Sequence, residues 1–327
     1  IIKSSTTNAN QTGGAIGVNG GDAVIKGLKI KNIKIDSPAG IGGVWGSQTA
    51  KATIEDSEIG NIKITHNSTN GYMASPIGGI IGAGQTVNIN NINIYDINIE
   101  GSDVNTIHMG GLVAVGNTYV NISNSNISKI TLKNNSADSG VVPITSGVMA
   151  IARNGGEFEN LNISDIQIES KGHGTGLSGS GDIEVNKNGG TIEINKVKIN
   201  INSTQGAAQG VMPLASMAVG TTEGTIKNVK VKNGTIIVNS NLNGVIGGIL
   251  GCGNTSIDNC EVNNLDITSS ANNGNAVQIG GIVGISSNVV NNSKVNDISI
   301  NSSAVGNIIG GGVGNASGNV ENIQVNN

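Results

Sequence analysis

The sequence predicts an all-β protein, a parallel β-solenoid (β-helix) in which about ten coils stack along one axis. Three observations lead to this prediction. A unit of about 33 residues recurs, many units carry paired glycines, and the apolar residues follow a spacing that fits neither a helix nor an uninterrupted strand. A solenoid grows by adding coils rather than domains, so we expect one repeat domain over residues 1–327.

The first half of the repeat is a short apolar stretch around two glycines. It is clearest at 41–46, 77–82, 109–113, 246–251 and 279–284. The glycine pair fades between 145 and 220, so the copies at about 140–220 are degenerate. The loss of the glycine pair is compatible with a solenoid that bends there or is interrupted.

The second half has apolar positions separated alternately by two and three residues. In the third copy these positions are Ile89, Ile92, Ile94, Ile97 and Ile99. A helix places apolar residues three and four apart and a strand places them two apart. An extra residue at regular intervals therefore predicts short strands joined by tight bends.

Asparagine and aspartate recur where these bends are expected. Both residues tolerate left-handed backbone, and stacked copies can bond from coil to coil as ladders. The first bend carries Asn91, Asn124, Asn160, Asn228, Asn259, Asn292 and Asn322. The second carries Asn32, Asn61, Asp96, Asp165, Asn233, Asn264 and Asp297.

Composition argues against several classes of partner. Apolar residues make up 36% of the chain but aromatic residues only 2%, so aliphatic side chains must fill the core. The net charge is −4 and the basic residues are dispersed, which argues against nucleic acid as a partner. No apolar run is long enough to span a membrane. The opening Ile1-Ile2 lacks a signal peptide, so we expect a piece of a longer chain or of an assembly.

The candidates for catalysis are few. Asp96, Asp165 and Asp297 share one column, as the paired carboxylates of β-helix glycosidases and lyases would, but their coils are not adjacent. We expect them to be turn residues. His66, His108 and His173 show no matching spacing, so we expect neither a metal site nor a catalytic site, and no cofactor.

Two further sets of residues bear on binding and on redox chemistry. Trp45 is expected to pack in the core rather than to bind glycans, and the other aromatic residues are Tyr72, Tyr95, Tyr119 and Phe158. Cys252 and Cys260 lie across a turn from each other. They could form a disulfide, or they could be two small buried apolar residues.

The segment 246–262 resembles the GLUG-type repeat. It has a Gly-Gly-aliphatic-aliphatic-Gly stretch, then a turn, then an Ile-x-Asn-Cys/Ser-x-Val strand; 279–295 is similar, with Ser293 in place of Cys260. The resemblance implies a bacterial secreted or cell-surface protein of the adhesin-like kind. It transfers no catalytic residue.

Three functions follow from these expectations. The leading one is a structural or adhesive repeat region, a rigid stalk or passenger that is not an enzyme and whose partner is a host or cell-surface ligand. The alternative is a self-assembling extracellular filament or phage-fibre element, whose partner is the chain itself. The third is a glycan-cleaving β-helix.

Overall fold

The computed structural model describes residues 1–3, 11–68, 75–103, 107–136, 142–203, 214–241, 243–271, 276–304 and 306–327. These residues contain no helix and form a parallel β-solenoid of about nine turns, with about 33 residues per turn. The predicted fold class is therefore confirmed.

The strands of the first half of the chain are β1 (Ile2–Lys3), β2 (Gln11–Gly13), β3 (Ile16–Asn19), β4 (Ala23–Lys26), β5 (Lys29–Asp36), β6 (Gly40–Gly42), β7 (Trp45–Ser68), β8 (Ser75–Gly78), β9 (Ile81–Asp103), β10 (Ile107–Gly110), β11 (Val113–Asn134), β12 (Ile144–Ser146), β13 (Met149–Ser170) and β14 (His173–Thr175). Those of the second half are β15 (Ser178–Val185), β16 (Ile192–Ser203), β17 (Leu214–Ser216), β18 (Val219–Thr222), β19 (Thr225–Lys227), β20 (Val229–Ser240), β21 (Gly244–Gly247), β22 (Leu250–Gly253), β23 (Ser256–Asp258), β24 (Glu261–Ala271), β25 (Val277–Gly280), β26 (Val283–Ser286), β27 (Val290–Asn291), β28 (Lys294–Ser302), β29 (Ile308–Gly310), β30 (Val313–Ala316), β31 (Val320–Glu321) and β32 (Gln324–Asn326).

The strands form two parallel sheets. The shorter has ten strands, β2, β6, β8, β10, β12, β14, β17, β21, β25 and β29, and the longer contains the other 22. We number the coils one to ten by the strand of the shorter sheet with which each begins. Coil ten contributes only a partial turn as far as Asn327, so the chain makes about nine turns rather than the ten that were expected.

Two corners of each coil are made by residues in the left-handed region. The strand β7 bends at Asp56 and Asn61, whose φ angles are 50° and 51°. Every bend residue named from the sequence has a positive φ, so both predicted columns are confirmed. The sequence reading missed Asp56 and Asn186 at the first corner, and Lys129 and Lys196 at the second.

The core is a stack of aliphatic columns. Ile89, Ile92, Ile94, Ile97 and Ile99 are all at most 2% exposed, as the two-and-three spacing predicts. Burying each such side chain contributes about 1.5–3 kcal/mol. Because inward and outward residues alternate along each segment, a slip of one residue would turn the core outward, and the pattern thereby fixes the register.

The paired glycines make a third, narrow corner. A Cβ on Gly78 would lie 1.9 Å from the carbonyl oxygen of Ile81 in the same coil. A Cβ on Gly79 would lie 2.0 Å from the carbonyl oxygen of Gly111 in the next coil. In this regular coil the two glycines therefore serve different purposes, one for the turn itself and one for the stacking distance.

The degenerate copies do not interrupt the solenoid. In the shorter sheet, β12 pairs with β14, β14 with β17, and β17 with β21, all parallel. The longer sheet is equally continuous through β13, β16 and β20. The middle coils therefore stack like the others.

Candidate functional site

Polar ladders run along both asparagine corners. At the first corner, Asn259 Nδ2 donates to Asn228 Oδ1 at 2.7 Å, and Asn160 Nδ2 donates to Asn124 Oδ1 at 3.1 Å. The predicted ladder is present in part, since Asn124 and Asn292 donate instead to Asn90 and Asp258, one residue before the bend asparagine of the preceding coil. The ladder is broken at coil six, where the extra residues 187–190 are inserted. There the backbone N–H of Thr191 donates to Asn160 Oδ1 at 3.3 Å instead.

The second corner combines amides with opposite charges. Asn264 Nδ2 donates to Asn233 Oδ1 at 2.8 Å. Asp96 lies 4.0 Å from Lys129 of the next coil, and Asp165 lies 3.9 Å from Lys196 of the next coil. Asp297 holds the equivalent corner position in coil nine, with a φ of 52°. These carboxylates occupy turn positions, and none is paired with another to form an acid/base couple.

His66 joins three successive coils from inside. Its Nδ1 lies 3.1 Å from the carbonyl oxygen of Ala39, and its Nε2 lies 3.3 Å from Asp103 Oδ2. A carbonyl only accepts, so Nδ1 carries a hydrogen and donates it. Both side chains are fully buried, which puts this pair out of reach of a substrate.

His108 and His173 have matching positions, contrary to the expectation from the sequence. They lie in one column of the shorter sheet, on either side of Ile144. Burial lowers the pKa of each to about 4; Arg153 adds to the effect at His108, and His108 adds to it at His173. Two coils separate them by about 10 Å, too far to share a metal ion.

The cysteines are free thiols, so the possible disulfide is not formed. Burial raises the pKa of Cys260 to about 12 and also raises the pKa of Cys252. A reactive thiol needs a lowered pKa, so neither is an activated nucleophile. Cys260 occupies the column of Ser293, whose Oγ accepts the Cys260 backbone N–H at 3.1 Å.

The aromatic residues form no exposed platform among the described residues. Trp45 and Phe158 are fully buried in the core, as was expected for Trp45. The Tyr95 hydroxyl donates to Glu58 at 2.9 Å, and the Tyr119 hydroxyl donates to Glu157 at 3.1 Å. Tyr72 lies outside the described residues. Nor does any group of three or more His, Cys, Asp or Glu in the described ranges have a geometry that could hold a metal.

A polar groove of about 620 Å³ runs along the first corner from coil six to coil ten. It is lined by Thr191, Asn228, Lys230, Asn259, Cys260, Glu261, Asn292, Ser293, Lys294, Asn322 and Gln324. Thr191 also lines a second groove of about 360 Å³ over coils four to six. The sequence reading missed this groove, although the column two residues after each bend asparagine could have located its wall.

Comparison of the chain with protein-family models, with curated proteins and with solved structures finds no match. The GLUG resemblance therefore stays a prediction. In the part of the chain that the structure describes, no helix is long and apolar enough to cross a membrane.

Proposed function

We propose that this chain is a structural and adhesive repeat region of a bacterial surface or secreted protein, a rigid rod that projects from a surface or binds through its side. One observation carries the proposal: the same coil recurs in register along the stack, and many of its corners are bonded to a neighbouring coil, as in the 2.8 Å bond from Asn264 to Asn233. Such a stack resists bending. The bacterial and extracellular setting is supported only by the resemblance of 246–262 and 279–295.

A non-catalytic role is part of the proposal. Asp96 and Asp165 are paired with lysines, and His108 and His173 are buried with pKa values of about 4. A general acid or base works best with a pKa near the operating pH and within reach of its substrate. Incubation with a panel of glycans should release no new reducing ends. Cleavage of any glycan would instead support the hypothesis of a glycan-cleaving β-helix enzyme.

Imaging and adhesion test the rod directly. Negative-stain images of the chain, fused at its end to a globular marker, should show straight rods with the marker about 50 Å from the other end. Beads coated with the folded chain should adhere to host cells or extracellular polymers. Beads coated with an unfolded Ile94→Asp variant should not. Bent or globular particles would contradict the rigid rod. Equal adhesion by both bead types would contradict binding through the side of the folded rod.

A further inference from the structure

We propose that the groove along the first corner of coils six to ten binds an extended acidic glycan that carries one carboxylate on every second sugar. This inference rests on the proposed adhesive role, because it names the ligand of the rod's side. The shape of the groove is the first reason. It is an open trough of about 620 Å³ that runs along the solenoid axis, as a polymer rather than a compact ligand requires.

The second reason is the spacing of charge on one wall. Lys230, Glu261 and Lys294 are in-register neighbours on three successive coils, and all three are half-buried. Adjacent coils are about 4.8 Å apart, so the two lysines lie about 10 Å apart, roughly one disaccharide of an extended glycan. Glu193 of coil six precedes Lys230 in register, so this column alternates negative and positive charges from coil six to coil nine.

The third reason is that neither lysine forms an ion pair, although Glu193 and Glu261 are in-register neighbours of Lys230 and Glu261 is one of Lys294. Elsewhere on the solenoid, lysines lie close to acids of adjacent coils, as Lys232 lies 3.9 Å from Glu193. Within the described residues, neither Lys230 nor Lys294 lies within 4.0 Å of a carboxylate. Glu261 instead accepts a bond from Asn296 Nδ2 at 3.4 Å. Ammonium groups that are half-buried and unpaired favour an anionic ligand.

The other wall suits sugar hydroxyl groups. Each ladder asparagine has two N–H donors and a carbonyl with two lone pairs, and the ladder uses only part of them. Asn259 donates one hydrogen to Asn228, and Asn322 donates to Asn292 at 3.1 Å. Asn259, Asn292 and Asn322 are exposed, so the remaining donors and acceptors are available to neutral groups of a sugar.

Glu261 gives the groove its selectivity. A glycan with a carboxylate on every sugar would place a negative charge opposite Glu261, and that repulsion would offset the attraction of the lysines. A glycan that alternates a uronic acid with a neutral sugar avoids the clash. Selection against the wrong polymer thus depends on one residue.

The experiment compares three polymers on the full 327-residue chain by titration calorimetry: an alternating uronate–hexosamine glycan, a homopolymer of uronic acid and a neutral dextran. The alternating glycan should bind tightest. Lys230→Gln with Lys294→Gln should weaken that binding about tenfold, the effect of losing charged hydrogen bonds, and added salt should weaken wild-type binding more than variant binding. Lys34→Gln with Lys198→Gln is the matched control, because it removes two exposed, unpaired lysines outside the groove.

Glu261→Gln provides the second arm, since it should raise affinity for the uronic acid homopolymer more than for the alternating glycan. Thermal melts confirm that each variant folds. If the groove variant and the control bind the alternating glycan equally, or if wild type binds the homopolymer as tightly, the groove assignment is wrong. If beads coated with the groove variant still adhere, the proposed adhesive function stands but the groove is not the binding site. Loss of all polymer and bead binding in wild type would reject both.

Discussion

The regular coils and the middle coils make the same corner with different residues. In coils three and four the first corner residue is Gly78 or Gly110, and a Cβ on either would lie 1.9 Å from a carbonyl oxygen of its own coil. In coils five and six the corresponding residues are Ser146 and Thr175, which carry a Cβ. The middle corners must therefore follow a wider path than the regular ones.

Hydroxyl groups bond across the wider corner. Thr175 Oγ1 donates to Ser146 Oγ at 2.9 Å, and Ser146 Oγ donates to the carbonyl oxygen of Leu177 at 2.8 Å. In coil seven the hydroxyl of Ser216 is buried and finds no partner within the described residues. A buried hydroxyl without a partner costs about 1–3 kcal/mol. Coil seven is thus the least well satisfied of the three.

The second glycine is retained in coils five and six although the first is lost. A Cβ on Gly147 would lie 2.3 Å from the carbonyl oxygen of Gly176, and one on Gly176 would lie 2.0 Å from that of Met217. These oxygens belong to the next coil. In coil seven Met217 occupies this column, so the second glycine is kept in two of the three middle coils and the first in none.

The largest expected effect lies where the two regions are alike, in the core. Ile94 and Ile163 occupy one buried column in a regular and a middle coil, and Asn93 and Asn162 are their outward neighbours. Ile94→Asp and Ile163→Asp should each destabilise by about 4 kcal/mol or more, because each buries an unpaired charge. Asn93→Asp and Asn162→Asp should cost under about 0.5 kcal/mol. Urea unfolding measures all four; tolerance of Asp at 163 alone would mean that the middle lacks a common core.

Acid should weaken coils four to six before the outer coils. His108 and His173 have pKa values lowered to about 4 by burial, so the folded state favours their neutral form. Stability is then full above about pH 6.5 and falls as the pH drops towards 4, by up to about 3 kcal/mol per histidine. The backbone N–H of Leu214 donates to His173 Nδ1 at 3.0 Å, which protonation would break.

Urea unfolding between pH 7 and pH 4 measures this dependence, and hydrogen exchange locates it. The variant His108→Leu with His173→Gln serves as the control, since glutamine keeps an acceptor and neither residue titrates. It should lose much less stability over the same range. An identical pH dependence in the variant and the wild type would show that His108 and His173 do not cause the loss of stability in acid.

Adding a Cβ at a regular corner should cost more than removing the hydroxyl at a middle corner. Gly78→Ala should destabilise by about 2 kcal/mol, because the backbone must shift away from the Ile81 carbonyl. Ser146→Ala should cost about 1 kcal/mol, the value of its hydrogen bonds. If Gly78→Ala were neutral in thermal unfolding, the two regions would not differ in the way described.

The smallest effect concerns corner lysines. Lys196 of coil six and Asn264 of coil eight share one column, with φ angles of 54° and 53°. Lysine tolerates left-handed backbone less well than asparagine, so Lys196→Asn should stabilise by about 0.5 kcal/mol and Asn264→Lys should destabilise by about 1 kcal/mol. Thermal melts of both variants check the opposite signs. Equal signs would show that the ladder rather than the backbone sets the corner preference.

Much of this arrangement could be predicted because it depends on local chemistry. Asn91, Asp96 and their counterparts are recognisable since few residues accept left-handed backbone, and Ile92 and Ile94 follow from the spacing of apolar residues. Lys129 and Lys196 could not be found by residue type. They become visible only when copies are aligned, five residues after Asn124 in the case of Lys129.

Features that depend on register across coils were harder to predict. His108 and His173 lie 65 positions apart in the sequence, and the intervening copies differ in length, so their common column emerges only from strand pairing. The groove has the same origin. In the sequence nothing distinguishes its charged residues from other surface residues. Only the strand pairing shows that Lys230, Glu261 and Lys294 are neighbours.

The central claim is that the middle coils continue one straight stack, and distances between spin labels test it most directly. Lys34, Gln167 and Ser299 are outward residues of a single column, with four coil steps between each pair of neighbours. With Cys252 and Cys260 replaced, labels at 34 and 167 and at 167 and 299 should each lie about 19 Å apart, and labels at 34 and 299 about 38 Å apart. A long distance equal to the sum of the two shorter ones confirms the straight stack. A long distance clearly below that sum, or a second population, would contradict it.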